Sequence, residues 1–475
     1  MPSPEERPGP PPPLPEAESN AEPETDIFPG KDAGAGRVED REDLKHARKP
    51  LKERAAHQPF WKRLGPGLIT GVADDDPSGI GTYSVAGARF GYALLWLVPF
   101  CIPLMIAVQE MCGRIAAVTG RGLAAVLKEH YPLPILWGTV LLLFLANTIN
   151  VWADLNVMAA SAQMLFGHSL TLWLTLLACL TLALEIFVPY RVYVRYLKWM
   201  CLALLAYVVT ALLPTVHPDW PQIARRLLLP DWSGDTAFLM TVVGFLGTTI
   251  SPYLFFWQAG ETVEEEIAEG RAIRPGKRVV RVSGQEIRMM RADTVLGMLA
   301  SQGITFFIIV CTAAVLHARG QTNINTAQDA ARALLPLGPE AYWLFTLGIV
   351  GSGLLGIPTL AGSVAYAMAE TLGWRYGLYR RARRAHGFYL TIAVVLLLGY
   401  LLNFVQSISP IKGLLYAAVL NGVIAPPLIV LLLLLCNNPQ VVGERRNSRL
   451  SNVLGILTVV LMTLAAALMF WSLRS

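Results

Sequence analysis

Long apolar runs recur along the chain from residue 64 to its end, separated by short polar stretches. Runs such as ALLWLVPFCIPLMIAV, LWLTLLACLTLALEIFV and VLGILTVVLMTLAAALMFW carry almost no charge. Each run is long enough to cross a hydrocarbon core of about 30 Å as an α-helix. The pattern predicts an all-α polytopic membrane protein with eleven spans, at residues 64–87, 91–113, 134–164, 170–189, 191–214, 235–259, 293–317, 341–371, 387–406, 413–436 and 451–473.

The composition agrees with a membrane protein. Hydrophobic residues make up 54% of the 475 residues and charged residues only 15%, whereas a soluble domain of this length needs more charged surface. The six cysteines lie mostly in or beside the apolar runs and show no CxxC or Cys/His spacing. We therefore expect them to be small packing residues rather than metal ligands.

Residues 1–60 differ from the rest of the chain. The stretch MPSPEERPGPPPPLPEAESNAEPETD is rich in Pro and Glu, contains no apolar signal-peptide core, and cannot bury a hydrophobic core of its own. The basic stretch RKPLKERAAHQPFWKR follows it just before the first span. We predict a disordered cytoplasmic tail with a basic anchor at 1–60, and a cytoplasmic loop with an eleventh helix at 437–475.

Positive charge is unevenly distributed among the connections between the predicted spans. Arginine and lysine are dense where an even span leads into an odd one, and sparse in the other connections. Because Lys and Arg accumulate in cytoplasmic loops, this bias predicts a cytoplasmic N-terminus and an outside C-terminus. We expect the chain to lie in the plasma (inner) membrane.

The first span contains a polar interruption, GVADDDPSGIGTY, in which three aspartates precede Pro77. One ionised carboxylate near the bilayer midplane costs at least about 2.5–3.5 kcal/mol, and a proline has no amide hydrogen to continue a helix. Unwound backbone at that depth is tolerated where it lines a cavity or is buried in protein. The stretch predicts two half-helices with a cation site of carboxylates and freed carbonyl oxygens between them. Alternatively, the aspartates lie at a membrane edge and only cap a helix.

A second interruption lies in span 6, FLMTVVGFLGTTISPYLFFWQAGETVEEE, where three hydroxyl-bearing residues precede Pro252. Interrupted spans at corresponding places in two halves indicate a transporter whose binding site lies between inverted repeats. Because spans 1 and 6 are five apart, we predict a 5+5 inverted repeat. Helices 1–5 and 6–10 then form a transporter core at 61–436.

The segment GPGLITGVADDDPSGIGTYSVAGARFGYALLW resembles the first-helix signature of the natural-resistance-associated macrophage protein (NRAMP) family of divalent metal transporters. That family carries Asp-Pro-Gly-Asn at the break, followed by a Gly-Ala-x-Phe-Gly-Tyr run. The similarity extends through span 6 and, more weakly, across residues 60–436. It implies a LeuT-type fold with a divalent metal bound between the unwound parts of helices 1 and 6. On this resemblance, Asp76 falls on the metal-binding aspartate.

The chain departs from the family motif at positions that touch the metal. The family asparagine falls on Gly79, and the family Met-Pro-His of helix 6 falls on Ser251, Pro252 and Tyr253. Thioether ligands favour softer transition metals, whereas carboxylate, carbonyl, hydroxyl and water oxygens suit Mg²⁺, Ca²⁺ and Mn²⁺. The pattern is therefore closest to the NRAMP-related magnesium transporter branch. Small side chains at 79 and 251 leave room for the waters that Mg²⁺ keeps.

The candidate metal ligands are polar or small residues of the two breaks: Asp76, Asp75, Gly79, Thr248 and Ser251. Further polar residues are candidates for proton movement or for contacts around the ion: Asp154, Tyr253, Asn421 and Asp74. Asp154 matches a family helix-3 aspartate linked to proton movement, and it is equally a candidate for a paired structural residue. The family's helix-3 glutamate falls on Val157 and its helix-6 histidine on Tyr253. We therefore expect weak or absent proton coupling.

Several glutamates lie near the predicted cytoplasmic ends of spans. Glu261, Glu264, Glu265 and Glu266 follow span 6, and Glu370 lies near the end of span 8. We expect all of them to be solvated. The group after span 6 would then concentrate cations at the inner mouth of the protein.

Together these features predict a transporter of hard divalent cations such as Mg²⁺ or Mn²⁺ that works by alternating access. The alternatives are an ordinary proton-coupled Mn²⁺/Fe²⁺ symporter of the NRAMP type, a LeuT-type amino-acid transporter, and a channel. Three aspartates at the break argue against an anionic substrate group there. The chain has no His/Glu zinc motif, P-loop or G-x-S-x-G, so we do not expect an enzyme. We expect no resident cofactor and no nucleic-acid partner; the partners are the transported ion and the lipid bilayer.

Overall fold

The computed structural model describes residues 70–71, 74–188, 200, 202–268, 272–278, 282–405 and 409–474. The predicted tail at 1–60, the start of span 1 and most of the first half of span 5 lie outside these residues. Within the described ranges the chain is almost entirely helical. A short antiparallel pair of strands, Ala272–Arg274 and Lys277–Arg278, follows the end of span 6.

The described helices follow the predicted spans and keep their numbers here. Eight helical stretches are long and apolar enough to cross a membrane, judged by length and composition. Two shorter apolar helices and the second half of span 1 occupy the other predicted spans. The bounds for spans 1 to 11 are Pro77–Phe90, Leu97–Thr119, Leu133–Phe166, Leu170–Phe187, Leu205–Leu212, Thr236–Thr249 with Pro252–Ala268, Gly284–Val315, Ala341–Leu372, His386–Leu402, Pro410–Asn437 and Arg449–Ser472.

Short helices lie in several of the connections between the spans. They are Leu123–His130, Trp220–Leu228, Ala327–Ala331 and Pro439–Val442. Single turns of 3₁₀-helix occur at Leu202–Leu204, His317–Arg319 and Ala382–Arg384, and a longer one at Arg332–Leu337. The predicted all-α architecture with broken spans 1 and 6 is confirmed.

Three span boundaries differ from the prediction for local reasons. Span 2 begins six residues later, at Leu97 rather than 91, because 91–96 form turns that start at Gly91 with φ of 59°. It ends at Thr119, where Gly120 adopts the left-handed conformation that commonly stops a helix. Span 7 begins at Gly284 rather than 293, because Ser283 and Glu286 form a capping box there.

The core of the molecule is a set of closely packed helix pairs. Span 3 lies along span 8, the first half of span 6 lies along span 10, and the second half of span 1 lies along span 7. Small residues allow the closest approaches. A Cβ atom added to Gly247 would lie 2.1 Å from the carbonyl oxygen of Ala418 and 2.3 Å from the amide nitrogen of Gly422. Spans 4 and 11 are the least buried of the long apolar helices and lie at the periphery.

The expectation that the glutamates after span 6 are solvated is wrong. The helix continues to Ala268, and Glu261, Glu264 and Glu266 are buried on it. Glu264 accepts hydrogen bonds from the hydroxyl of Tyr366 and from the amide of Leu378. The connection after span 8 therefore folds over this end of span 6 and covers its carboxylates.

Glu370 is also buried, with 6% of its surface exposed, rather than solvated. Its carboxylate accepts a hydrogen bond from the amide of Ala125 at 3.0 Å, in the helix Leu123–His130. A Cβ added to Gly122 would collide with the same carboxylate. Glu370 thus joins span 8 to the connection between spans 2 and 3.

We predict that Gly247→Ala destabilises the protein by about 1–3 kcal/mol or more, because the new methyl group meets the backbone of span 10 and not a movable side chain. Gly303→Ala is the matched control, since a Cβ at Gly303 has no heavy atom within 4 Å. That change should be neutral or stabilise the helix by up to about 1 kcal/mol. The unfolding temperature in detergent compares the two variants. Equal unfolding temperatures for both would contradict the close crossing of spans 6 and 10.

Candidate metal site

The break in span 1 lies directly before Pro77. Asp74 still has helical backbone, Asp75 and Asp76 do not, and a new helix begins at Pro77. Proline at the first helical position needs no amide partner. Asp76 is the N-cap: its Oδ1 accepts hydrogen bonds from the amide of Gly79 and the hydroxyl of Ser78, both at 2.8 Å. The aspartate of the break therefore caps a helix and is itself held in a fixed position.

The break in span 6 consists of Ile250 and Ser251, between the helices that end at Thr249 and begin at Pro252. The Ser251 hydroxyl is 2.7 Å from the carbonyl oxygens of both Gly247 and Thr248. These carbonyl oxygens belong to the last turn of a helix, where carbonyl groups have no amide of the same helix to accept from. Ser251 therefore directs its proton toward the end of the first half-helix, and only the oxygen lone pairs can face an ion.

The two breaks meet inside the protein. The Tyr253 hydroxyl donates to Oδ2 of Asp76 at 3.2 Å, and the hydroxyls of Ser78 and Thr248 are 3.4 Å apart. A Cβ added to Gly79 would lie 3.3 Å from Thr248 Oγ1. All five residues are buried, and the four that carry side chains each expose 1% of their surface. The structure thus brings together Asp76, Gly79, Thr248 and Tyr253 from the predicted set.

Asp74 and Asp75 lie in a different place from Asp76. The Ser301 hydroxyl of span 7 is 2.7 Å from Oδ2 of Asp74 and 3.1 Å from Oδ1 of Asp75. Oδ1 of Asp74 is buried and has no hydrogen-bond partner among the described residues. The three consecutive carboxylates therefore divide into a pair that faces span 7 and a single one that faces span 6.

Ser301 is a site residue that the sequence analysis missed. Its signal was a Ser-Gln pair inside the otherwise apolar run VLGMLASQGITFFIIV. Polar residues in spans are often contacts between helices, so this pair alone could not be assigned to the aspartates. Ser301 is more than 220 residues away from Asp74 and Asp75 in the sequence, and it meets them only in the folded protein.

Asp154 of span 3 is fully buried, and its carboxylate lies near the backbone amide of Ser78, beside the break of span 1. It is close enough to interact electrostatically with Asp76 and with Tyr253. Asn421 of span 10 is also fully buried with both amide atoms unpartnered within the described part of the chain. It lies beside Gly422, at the crossing with the first half of span 6. No described contact joins Asn421 directly to Asp76.

The site is rich in oxygen and poor in compensating charge. None of the four buried aspartates forms an ion pair with a lysine or arginine among the described residues. Burying an unpaired carboxylate is costly, so a cation at this place lowers the free energy of the folded protein. No group of three His, Cys, Asp or Glu side chains within the described ranges is arranged to hold a metal. A bound ion would therefore combine carboxylate with hydroxyl, carbonyl and water oxygens, the donor set of hard cations.

Solved structures with a similar fold are transporters. The crystal structure of the Eremococcus coleocola manganese transporter with an aromatic bis-isothiourea compound matches with a TM-score of 0.67 and 19% identity, over 88% of this chain and 90% of that chain. MhsT in complex with L-phenylalanine matches with a TM-score of 0.53 and 12% identity, over 86% of this chain and 98% of that chain. At these identities the likeness shows the fold alone.

Sequence comparisons identify the family as well as the fold. The divalent metal cation transporter MntH of Burkholderia ambifaria is 30% identical over 433 residues, which cover 88% of this chain and 89% of the relative. MntH of Chromohalobacter salexigens is 27% identical over 406 residues, or 84% and 88% of the two chains. The family model described as natural resistance-associated macrophage protein-like matches residues 67–472. This chain therefore belongs to the natural resistance-associated macrophage protein family.

Proposed function

We propose that this protein transports divalent metal cations across a membrane and binds them where the breaks of spans 1 and 6 meet. The observation that carries the proposal is the position of Asp76. Its carboxylate is buried at the junction of two helix breaks, surrounded by hydroxyl groups and without an ion pair to any described lysine or arginine. The names of the relatives support the same class of cargo: divalent metal cations for the two MntH proteins and manganese for the Eremococcus coleocola protein.

We propose hard ions such as Mg²⁺ and Mn²⁺ as the cargo. Position 251 offers a hydroxyl oxygen and no sulfur, and the hydroxyl of Thr248 faces Ser78. Gly79 adds no side-chain ligand, and Tyr83, the carbonyl oxygen of Asp74 and Thr248 lie 3.2–3.3 Å from where its Cβ would be, so the room for water that we expected at this position is not found. Mg²⁺ characteristically keeps several waters beside one or two carboxylates. Asp76, Thr248 and Ser251 are the proposed ligands, with Asp75 as a carboxylate that can approach from the neighbouring pair.

The proposed mechanism is alternating access around this site. The half-helices of span 6 pack on different partners, the first on span 10 and the second mainly on spans 2 and 8. Span 1 after its break packs on spans 7 and 10. Short unwound segments such as Ile250–Ser251 can absorb changes in backbone angles while the helices on either side stay rigid. Movement at the two breaks would expose the ion site to one membrane face at a time. For the orientation in the membrane, we propose a cytoplasmic N-terminus from the distribution of Lys and Arg among the connections.

The amino-acid transporter is disfavoured by the charge of the site. An amino acid would bring a carboxylate to the break of span 1, where Asp76 and the pair Asp74 and Asp75 already lie. Like charges in a buried site repel strongly. A divalent ion instead compensates them.

We predict that Asp76→Asn reduces Mn²⁺ uptake into proteoliposomes by at least about tenfold. The amide keeps the size of the side chain and removes the charge that attracts the ion. Asp235→Asn is the matched control, because Asp235 is exposed and its side chain makes no cap at the start of span 6. Wild-type uptake by a folded Asp76→Asn protein would remove Asp76 from the site.

We predict that Ser251→Met raises Cd²⁺ and Mn²⁺ uptake several-fold relative to Mg²⁺, because a thioether favours softer metals. Ser251→Ala separates this effect from loss of the hydroxyl, since it also removes the hydrogen bonds to Gly247 and Thr248 but adds no sulfur. Competition among the three ions for uptake gives the ranking. The same ranking in both variants would show that position 251 does not select the metal.

We predict that uptake is driven mainly by the ion gradient and the membrane potential. Position 253 is a tyrosine, and a phenol free in water has a pKa near 10; position 157 is a valine, which has no proton to give, so neither carries protons readily near neutral pH. A potential of 100 mV supplies roughly 4.6 kcal/mol to a divalent ion. Imposed inside-negative potential should accelerate uptake strongly, and an imposed pH gradient only weakly. Stoichiometric acidification during metal entry that disappears in Asp154→Asn would instead establish proton coupling through Asp154.

A further inference from the structure

A basic pocket of about 450 Å³ lies between the end of span 8 and the start of span 9. It is far along the chain from the breaks of spans 1 and 6, and none of the proposed metal ligands lines it. Its walls include three arginines, one histidine and one tryptophan: Arg375, Arg383, Arg384, His386 and Trp374. No carboxylate is part of the lining. The lining is therefore basic, and among its arginines Arg383 is the candidate for contact with a bound anion.

Backbone groups strengthen the attraction for negative charge. Span 9 begins at His386, and no side chain caps its first turn. Ala385, His386 and Gly387, at the start of this helix of 17 residues, all line the pocket. The first amides of a helix have no intrahelical acceptor and carry the positive end of the helix dipole. Phosphate groups bind readily at such helix ends.

The arginines add the geometry that suits a phosphate. The guanidinium of Arg383 forms no hydrogen bond or ion pair with any described residue. Guanidinium groups donate two parallel hydrogen bonds to a phosphate, which an ammonium cannot do. The neighbouring Arg380 differs, because it is buried and lies over the ring of Tyr379. The guanidinium of Arg383 is thus available to an external ligand, whereas that of Arg380 packs inside the protein.

Apolar side chains are also found next to the basic residues of the pocket. The pocket lies between the ends of two apolar helices; Trp374, which lines it, is 40% exposed, and the exposed Leu372 (40%) and Leu390 (62%) lie close along the chain to lining residues. Tryptophan is enriched where membrane-spanning helices meet the headgroup layer. The ring of Trp374 covers Gly387, where an added Cβ would lie 2.3 Å from the ring. Apolar surface thus continues from the basic pocket along span 9, the arrangement that a lipid requires.

We propose that this pocket binds the phosphate of an anionic phospholipid, whose acyl chains lie along the exposed face of span 9 near Leu390. Basic pockets between membrane helices are suited to anionic headgroups, and the attraction adds to the hydrophobic contact of the chains. The bound lipid would tie span 8 to span 9 through the connection that also covers Glu264. This proposal does not depend on which metal the protein transports.

Native mass spectrometry of the full chain in detergent tests the proposal by titration with phosphatidylglycerol and, separately, with phosphatidylcholine. We expect wild-type protein to retain phosphatidylglycerol, and Arg383→Gln to bind it about tenfold or more weakly. Arg381→Gln is the matched control, because Arg381 is an exposed neighbour that does not line the pocket. It should bind the lipid like wild type.

Four outcomes would overturn the proposal. The first is an equal loss in Arg381→Gln, which would indicate general surface charge. The second is equal retention of phosphatidylcholine, and the third is displacement of the lipid by millimolar inorganic phosphate, which would make a soluble anion the ligand. Arg383→Lys is a conservative variant that controls for misfolding, because it keeps the positive charge and loses only the two parallel donors of the guanidinium. Wild-type affinity in both Arg383 variants, with normal unfolding temperatures, would also exclude the pocket.

Discussion

A carboxylate buried among membrane-spanning helices needs a positive partner, and the architecture of this protein is organised around that need. Asp76 has no basic partner among the described residues, but it has hydrogen bonds from Ser78, Gly79 and Tyr253. Those donors hold the carboxylate in place without neutralising it. The same break that supplies the Asp76 cap also leaves backbone unwound, which is possible only because other helices enclose it.

The enclosing helices pack closely around the site. Span 8 approaches so closely that a Cβ added to Gly356 would lie 2.9 Å from Cβ of Asp76. Span 10 reaches the first half of span 6 through Gly247 and Gly422. The half-helices on either side of the breaks are therefore held by close packing. At the other end of span 6, buried Glu264 joins that end to the connection after span 8 through the hydrogen bond from Leu378.

Much of this arrangement was predictable because it follows from local sequence. Apolar length located the spans, and Pro77 and Pro252 located the breaks, since a proline without an amide hydrogen starts a new helix. The family resemblance placed Asp76 at the junction. What sequence could not supply was side-chain direction: three adjacent aspartates look alike in a string of letters, but two turn toward Ser301 and one toward Tyr253. The burial of Glu264 was equally unpredictable, because it depends on Tyr366 and Leu378, more than 100 residues away.

The central claim is that a divalent ion binds where the two breaks meet, and locating the ion tests it most directly. A crystal grown with Mn²⁺ and measured near the manganese absorption edge would give the ion position from anomalous scattering. We expect a peak within coordination distance of an Asp76 carboxylate oxygen and beside the Thr248–Ser251 segment, and we expect this peak to disappear in Asp76→Asn. A strong peak elsewhere, with the junction of the breaks empty while the protein still transports Mn²⁺, would contradict it.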